Sequence, residues 1–145
     1  NRGIELEPYA FDKFNEVKSL DFIKAIKVGF IKLNDNVGSS PDGLIGLNEG
    51  LEIKCPRREK FYKIVALGVD AVDKEYIQQM QHQMWVGNLN KFYFMNYIIE
   101  NGNEKWHILE FNRDEKVIDL LKERTDQAIS IRDKYVKLLL ENKQY

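Results

Sequence analysis

Asp42 and Glu52 stand ten residues apart, and Lys54 follows Glu52 by two, in a chain whose next residues are Cys55 and Pro56. That arrangement constrains the fold before anything else does. Successive strand side chains point to opposite faces. A strand over 51–55 therefore turns Leu51, Ile53 and Cys55 to one side and Glu52 and Lys54 to the other. The apolar side can enter a core, which leaves a carboxylate and an ammonium group side by side on the other. Asp42 lies across a hairpin from Glu52, so a second carboxylate reaches the same place. Two carboxylates make a hard oxygen site for Mg²⁺ or Mn²⁺. A lysine beside the metal can align or deprotonate a water, which is the equipment of metal-assisted phosphodiester hydrolysis.

The chain has 145 residues, enough for one domain with its own core. Its apolar runs are short, so no membrane span is expected. No signal peptide is visible at the start. The single cysteine, Cys55, excludes an internal disulfide and a zinc or iron–sulfur site built from cysteines of this chain. It fits a reducing cytoplasm. The first residue is Asn1 rather than Met, and the N-terminal segment is expected to be incomplete.

A net charge of −1 lends a nucleic-acid role no support of its own. A nuclease can still be near neutral, because bound cations reverse the local sign of its acidic centre. The DNA contact is then sought in local patches. Arg57-Arg58-Glu59-Lys60-Phe61-Tyr62-Lys63 is the best of them, reading either as a solvated loop or as phosphate contacts with two aromatics for stacking.

Periodicity predicts helix over 4–18, with Pro8 in its first turn, and a strand or strand pair over 22–33 before the turn Asn34-Asp35-Asn36. A hairpin follows, over roughly 41–46 and 51–55. A basic connection runs to Asp73, the expected N-cap of a helix over 73–86. Strands at 91–99 and 105–111 flank the hairpin turn Asn101-Gly102-Asn103. A long amphipathic helix over 114–141 carries Val117, Leu120, Leu121, Ala128, Ile131, Tyr135, Leu138 and Leu139 on one stripe, much of it expected to cover the sheet. The order predicts one α/β domain over 1–145 with a mixed central β-sheet flanked by helices.

Taken alone, Ser39-Ser40-Pro41-Asp42-Gly43 is a good turn, and Glu-Ile-Lys is a common solvated strand edge. Their combination matches a metal-nuclease spacing. In the 73–86 helix, Tyr76, Gln79 and Gln83 share a polar face, and Ile77, Met80 and Met84 a neighbouring apolar one. The polar stripe can hydrogen-bond a phosphate or the attacking water. Gln78 and Gln81 need no such role. His82 reads as a surface or network residue, and His107 receives no role. Glu5 and Glu7 do not share a helical face, and their spacing does not choose which one points inward.

These segments resemble the lambda-exonuclease, or YqaJ-like viral recombinase, family of the restriction-endonuclease-like PD-(D/E)xK group. The matching pieces are Gly3-Ile4-Glu5-Leu6-Glu7-Pro8-Tyr9-Ala10, Ser40-Pro41-Asp42-Gly43-Leu44, Leu51-Glu52-Ile53-Lys54-Cys55-Pro56 and the run from Tyr76 to Val86. Their order and spacing agree over about residues 3–100. The resemblance implies a restriction-endonuclease-like core and two Mg²⁺ or Mn²⁺ ions held by Asp42 and Glu52, with the Ile53 carbonyl and Glu7 as further ligands. It implies catalytic roles for Lys54 and Gln79, and DNA contacts for Ser40 and Tyr76. Arg57, Arg58 and Lys60 are the expected backbone contacts of the basic patch. The activity implied is 5′-to-3′ degradation of one strand of duplex DNA, for a phage-type recombination system in the cytoplasm. The partners implied are duplex DNA and a single-strand annealing recombinase, and the assembly a homotrimer. Family proteins usually carry helical sequence before the Glu-Pro segment; here it is missing or unseen, which bears on processivity, 5′ polarity and ring assembly. A structure-specific or restriction-type endonuclease and a non-catalytic DNA-binding module of the same fold are the alternatives.

Overall fold

The computed structural model describes residues 2–142. They fall into two compact units, divided between Arg113 and Asp114. The first unit holds a five-stranded sheet in the order β1 (Ala25–Ile26), β4 (Gly43–Ile45), β5 (Glu49–Lys54), β6 (Lys91–Glu100) and β7 (Asn103–Asn112). Only β5 and β6 run parallel, and the other neighbours are antiparallel, so the sheet is mixed as expected. A separate two-stranded hairpin joins β2 (Ile31–Asn34) to β3 (Val37–Ser39).

Helix α1 (Arg2–Lys18) puts Ala10, Phe11 and Phe14 against Leu51, Ile53, Tyr93, Met95 and Tyr97 of the two central strands. These are the odd-numbered positions of β5 and β6, so α1 covers one face. Helices α2 (Arg58–Leu67) and α3 (Lys74–Val86) cover the even-numbered face, where Tyr76 meets Phe94 and Gln83 meets Glu52. The central β6 is buried on both faces and reads as a nearly continuous apolar run. Asn101 and Gly102 both have positive φ, 52° and 77°, which is the backbone that a two-residue β6–β7 turn needs.

Several expectations change. The 22–33 segment, expected as a strand or strand pair, holds β1 and the start of β2, which do not pair with each other: β1 pairs with β4, and β2 turns away to pair with β3. The basic 57–63 stretch is not a loop but the start of α2. Phe61 and Ile64, three residues apart, are buried and supply the helical period that the charges obscure. Burial also removes Phe61 from any stacking role. Pro8 lies inside α1 beyond its first turn, so the Ile4 carbonyl lacks its helical donor. Asp73 stands at the N-cap of α3 as expected, but its side chain makes no capping hydrogen bond, and its Oδ1 accepts from Lys60 at 2.9 Å.

In the second unit, α4 (Glu115–Asn142) is capped by Asp114, whose Oδ1 accepts from the Lys116 and Val117 amides at 3.0 and 3.3 Å. Leu120, Ile131, Tyr135, Leu138 and Leu139 of its apolar stripe are exposed.

Candidate active site

The β4–β5 hairpin builds the centre. Gly43 pairs with Leu51, and the Asp42 amide donates to the Leu51 carbonyl at 3.1 Å. The same residue's Oδ2 accepts from the Ile53 amide at 2.7 Å. Asp42 is thus tied to β5 twice, by backbone and by side chain. One strand position on, Glu52 is buried on the α3 face, where its Oε2 accepts from Gln83 Nε2 at 2.9 Å. Its Oε1 lies 3.6 Å from Lys54 Nζ. The lysine in turn sits 4.3 Å from the centre of the Tyr76 ring. A cation over an aromatic face is held without being neutralised, and this contact holds the Lys54 side chain next to the carboxylates.

Glu7 reaches this place from α1. It is half-buried and lines a cleft of about 690 Å³, whereas Glu5 is exposed. Burial raises the Glu7 carboxyl above its ordinary value, and the negative charge of Asp42 adds to that. Burial pushes the Asp42 carboxyl up to about 6, with the charge of Glu52 as the next cause. Burial and neighbouring negative charge thus raise both Asp42 and Glu7, although Lys27 and Lys54 oppose the rise at Glu7. Hard oxygen donors of that kind fit Mg²⁺ or Mn²⁺. Among the described residues, no three His, Cys, Asp or Glu side chains already form a closed metal site. The donor chemistry therefore rests on the Asp42–Glu52 pair, with Glu7 at its margin.

The cleft continues from Ile53 and Lys54 past Arg57, Lys60, Tyr76 and Asn96. Arg57 and Lys60 line it, but Lys60 is held by Asp73, and Arg58 Nε lies 3.3 Å from Glu100. Ser40 is exposed beside buried Pro41. Gln79 is exposed one turn before Gln83 on the stripe that starts at Tyr76. The acid-binding amide of this helix is therefore Gln83, which the sequence puts on the right face without distinguishing it from Gln79. Gln81 is structural and donates to the Asn112 carbonyl at 3.0 Å. His82 lies 3.3 Å from the Gly38 carbonyl and meets Trp85 edge-on, as a network residue does. Asn96, paired in register with Lys54, is a cleft residue that spacing did not reveal, since no sequence pattern announces a parallel partner.

Residues 1–90 match the YqaJ-like viral recombinase domain. The chain belongs to this family. A YqaJ-like domain also explains the structural likenesses. An alkaline exonuclease, LHK-Exo, from Laribacter hongkongensis is 25% identical, with a TM-score of 0.87 over 97% of this chain and 72% of its own. The same enzyme in complex with dAMP gives a TM-score of 0.86 at 25% identity, over 97% of this chain and 71% of its own. A phage-related exonuclease from Haemophilus somnus 129PT shares the fold at 17% identity, with a TM-score of 0.66 over 93% of this chain and 70% of its own. No curated protein matches the chain in sequence. Among the described residues, no helix is long and apolar enough to cross a membrane.

Proposed function

We propose that this YqaJ-like domain is a phage-type DNA exonuclease, a metal-dependent hydrolase that removes nucleotides from a 5′ end of duplex DNA. The observation that carries the reading is the convergence of Asp42, Glu52 and Lys54 at one end of the β4–β5 hairpin, with the Asp42 carboxyl pushed up to about 6 by burial and by Glu52. A binding module has no use for a buried acid pair that repels itself. The family membership and the likeness to alkaline exonucleases support the same chemistry.

Asp42 and Glu52 would hold the divalent ions, with the Ile53 carbonyl and Glu7 completing the set. Such ions supply charge stabilisation at the scissile phosphate and a nucleophile at neutral pH. The chain's own residues do the rest. Gln83 fixes the orientation of Glu52, and the Ile53 amide fixes Asp42. Lys54, steadied by Tyr76, aligns the attacking water or offsets charge developing on the phosphate. Gln79 and Ser40 face solvent, where they can meet DNA phosphates. Arg57, Arg58 and Lys60 hold the backbone without reading sequence. Arg58 and Lys60 exchange Glu100 and Asp73 for phosphate when they do so. A homotrimer and a single-strand annealing recombinase partner belong to this proposal.

One gel tests it. Linear duplex labelled at the 5′ or the 3′ end, and a covalently closed circle, are incubated with Mg²⁺, Mn²⁺ or EDTA. Stepwise loss of one strand from its 5′ end, with the circle intact and no reaction in EDTA, is expected. Cleavage of the closed circle makes the chain an endonuclease, and hydrolysis in EDTA removes the metals.

A further inference from the structure

Phe30 is 69% exposed, yet it is not loose. A Cβ built on Gly38 would come within 2.2 Å of the ring's Cζ and 2.5 Å of Cε1. The ring therefore lies on the bare backbone of Gly38, in a space that any other residue would fill. One side of the ring rests on β3, and the rest is presented to solvent. An aromatic ring fixed in this way is a poor ornament for a water-facing hairpin. Its desolvation gain is largely forgone, and its place depends on a glycine.

Cations outnumber acids in the surrounding segment, three to one over residues 24–38. Lys24, Lys27 and Lys32 are exposed in the same segment, and among the described residues only Lys32 has an acid in contact, Asp35 at 2.9 Å. Both ends of the segment are tied to the acid centre. Lys27 is near enough to Glu7 to oppose the rise in its carboxyl, and it lies 5.1 Å from the Phe11 ring. Gly38 meets His82, the neighbour of the residue that holds Glu52. Gly38 also stands only four residues before Asp42. At about 3.3 Å per extended residue the separation is at most about 13 Å, a reach of two nucleotides or so of strand. Exposed lysines with a π-face among them are the make-up of a single-strand platform: the cations follow the phosphates, and the ring takes a base of any sequence.

We propose that Phe30, seated on Gly38 and flanked by Lys24, Lys27 and Lys32, is a stacking platform for a nucleobase of the DNA strand entering the acid centre. This rests on the nuclease reading for its substrate. The competing occupant is a second copy of this chain, which would bury the ring as an apolar surface and would not need it to be aromatic.

Wild type, Phe30→Leu and Phe30→Trp are compared by fluorescence anisotropy on a duplex with a short single-stranded 5′ end, in Ca²⁺ to limit hydrolysis. The duplex carries 2-aminopurine near that end, and masses are measured by light scattering. The platform predicts binding about 5- to 150-fold weaker in Phe30→Leu. It also predicts loss of the 2-aminopurine quenching, recovery of both in Phe30→Trp, and one unchanged mass throughout. Wild-type affinity in Phe30→Leu overturns the proposal and leaves the nuclease reading standing. A lower mass in Phe30→Leu overturns it in favour of a subunit contact. DNA binding and quenching by a wild type that hydrolyses nothing in Mg²⁺ or Mn²⁺ refutes the nuclease and keeps the platform. A wild type that binds no DNA removes both.

Discussion

Replacing Asp42 by Asn should make the metal-free protein more stable, although it destroys the centre. The Asn side chain keeps an oxygen for the Ile53 amide, so the hairpin retains its 2.7 Å tie. What disappears is a charge that the folded chain holds at a cost. The Asp42 carboxyl is raised from 3.8 to about 6 by burial and then by Glu52. Such a displacement corresponds to about 3 kcal/mol against the charged form. Solvent reaching this half-buried group makes that an upper bound. An unfolded chain releases the proton near the ordinary value, and the folded chain keeps it to about pH 6. The Asp42 contribution to stability is therefore greatest at the acid end and is lost as pH rises to about 6, because the folded state binds more protons across that interval. Asp42→Asn lacks this decline. In EDTA at pH 8 its melting midpoint should lie above that of wild type by up to about 6–12 °C, at roughly 2–4 °C per kcal/mol for a chain of this size. At pH 4 the two should nearly coincide. Mn²⁺ at a thousand times its Kd should then reverse the order, since it adds about 4.1 kcal/mol to the protein that binds it. Thermal denaturation followed by circular dichroism at pH 4, 6 and 8, with EDTA and with Mn²⁺, reads all of this. A variant no more stable than wild type at pH 8 in EDTA would refute the reasoning, because the acid pair would then carry no repulsion for a metal to relieve.

Lys54→Ala should lower kcat by about 10²–10⁴-fold, while Mn²⁺ binding by calorimetry stays near that of wild type. Normal turnover would make Lys54 a bystander. Gln83→Ala should reduce both activity and stability, the latter by about 1.5–3 kcal/mol for a bond to a charged group. Gln79→Ala should leave the melting midpoint alone, and equal midpoint losses in the two variants would contradict the difference in their burial. Gly50→Ala should destabilise the sheet by about 1–3 kcal/mol, because a Cβ there meets the buried Phe92 ring at 2.4 Å. An unchanged midpoint in urea titration would show that the ring can move aside.

The parts of the fold set by side-chain period were readable in advance. The apolar positions Leu51 and Ile53 alternate with Glu52 and Lys54, and all four point where a strand sends them. Asn101-Gly102 names its own turn through the left-handed backbone it requires. The misses share a physical cause. In α2 the pair Phe61 and Ile64 is the whole buried face, and four cations around it gave the segment the look of a loop. Between Phe22 and Leu33 the β-forming residues are real, but partner choice splits them between two sheets, and partner choice is not local. The acid centre divides in the same way. Asp42, Glu52 and Lys54 lie close along the chain and could be placed from spacing. Preference for Gln83 over Gln79, and the approach of Asn96, depend on how α3 and β6 meet β5 in space.

The double tie of Asp42 to β5 changes what the ten-residue interval to Glu52 means. The loop Gly46-Leu47-Asn48 closes the hairpin at the end away from Asp42, and all three residues are exposed. Chain inserted there would lengthen the interval without moving either acid, since their separation is set across the strands by the Ile53 amide and the Leu51 carbonyl. Counting residues between the acids is thus a proxy for a contact that the count does not cause. Proteins with a longer hairpin at this point can carry the same centre and escape any search that fixes the number, and the loop itself is a place to graft a label or a tether without touching the chemistry.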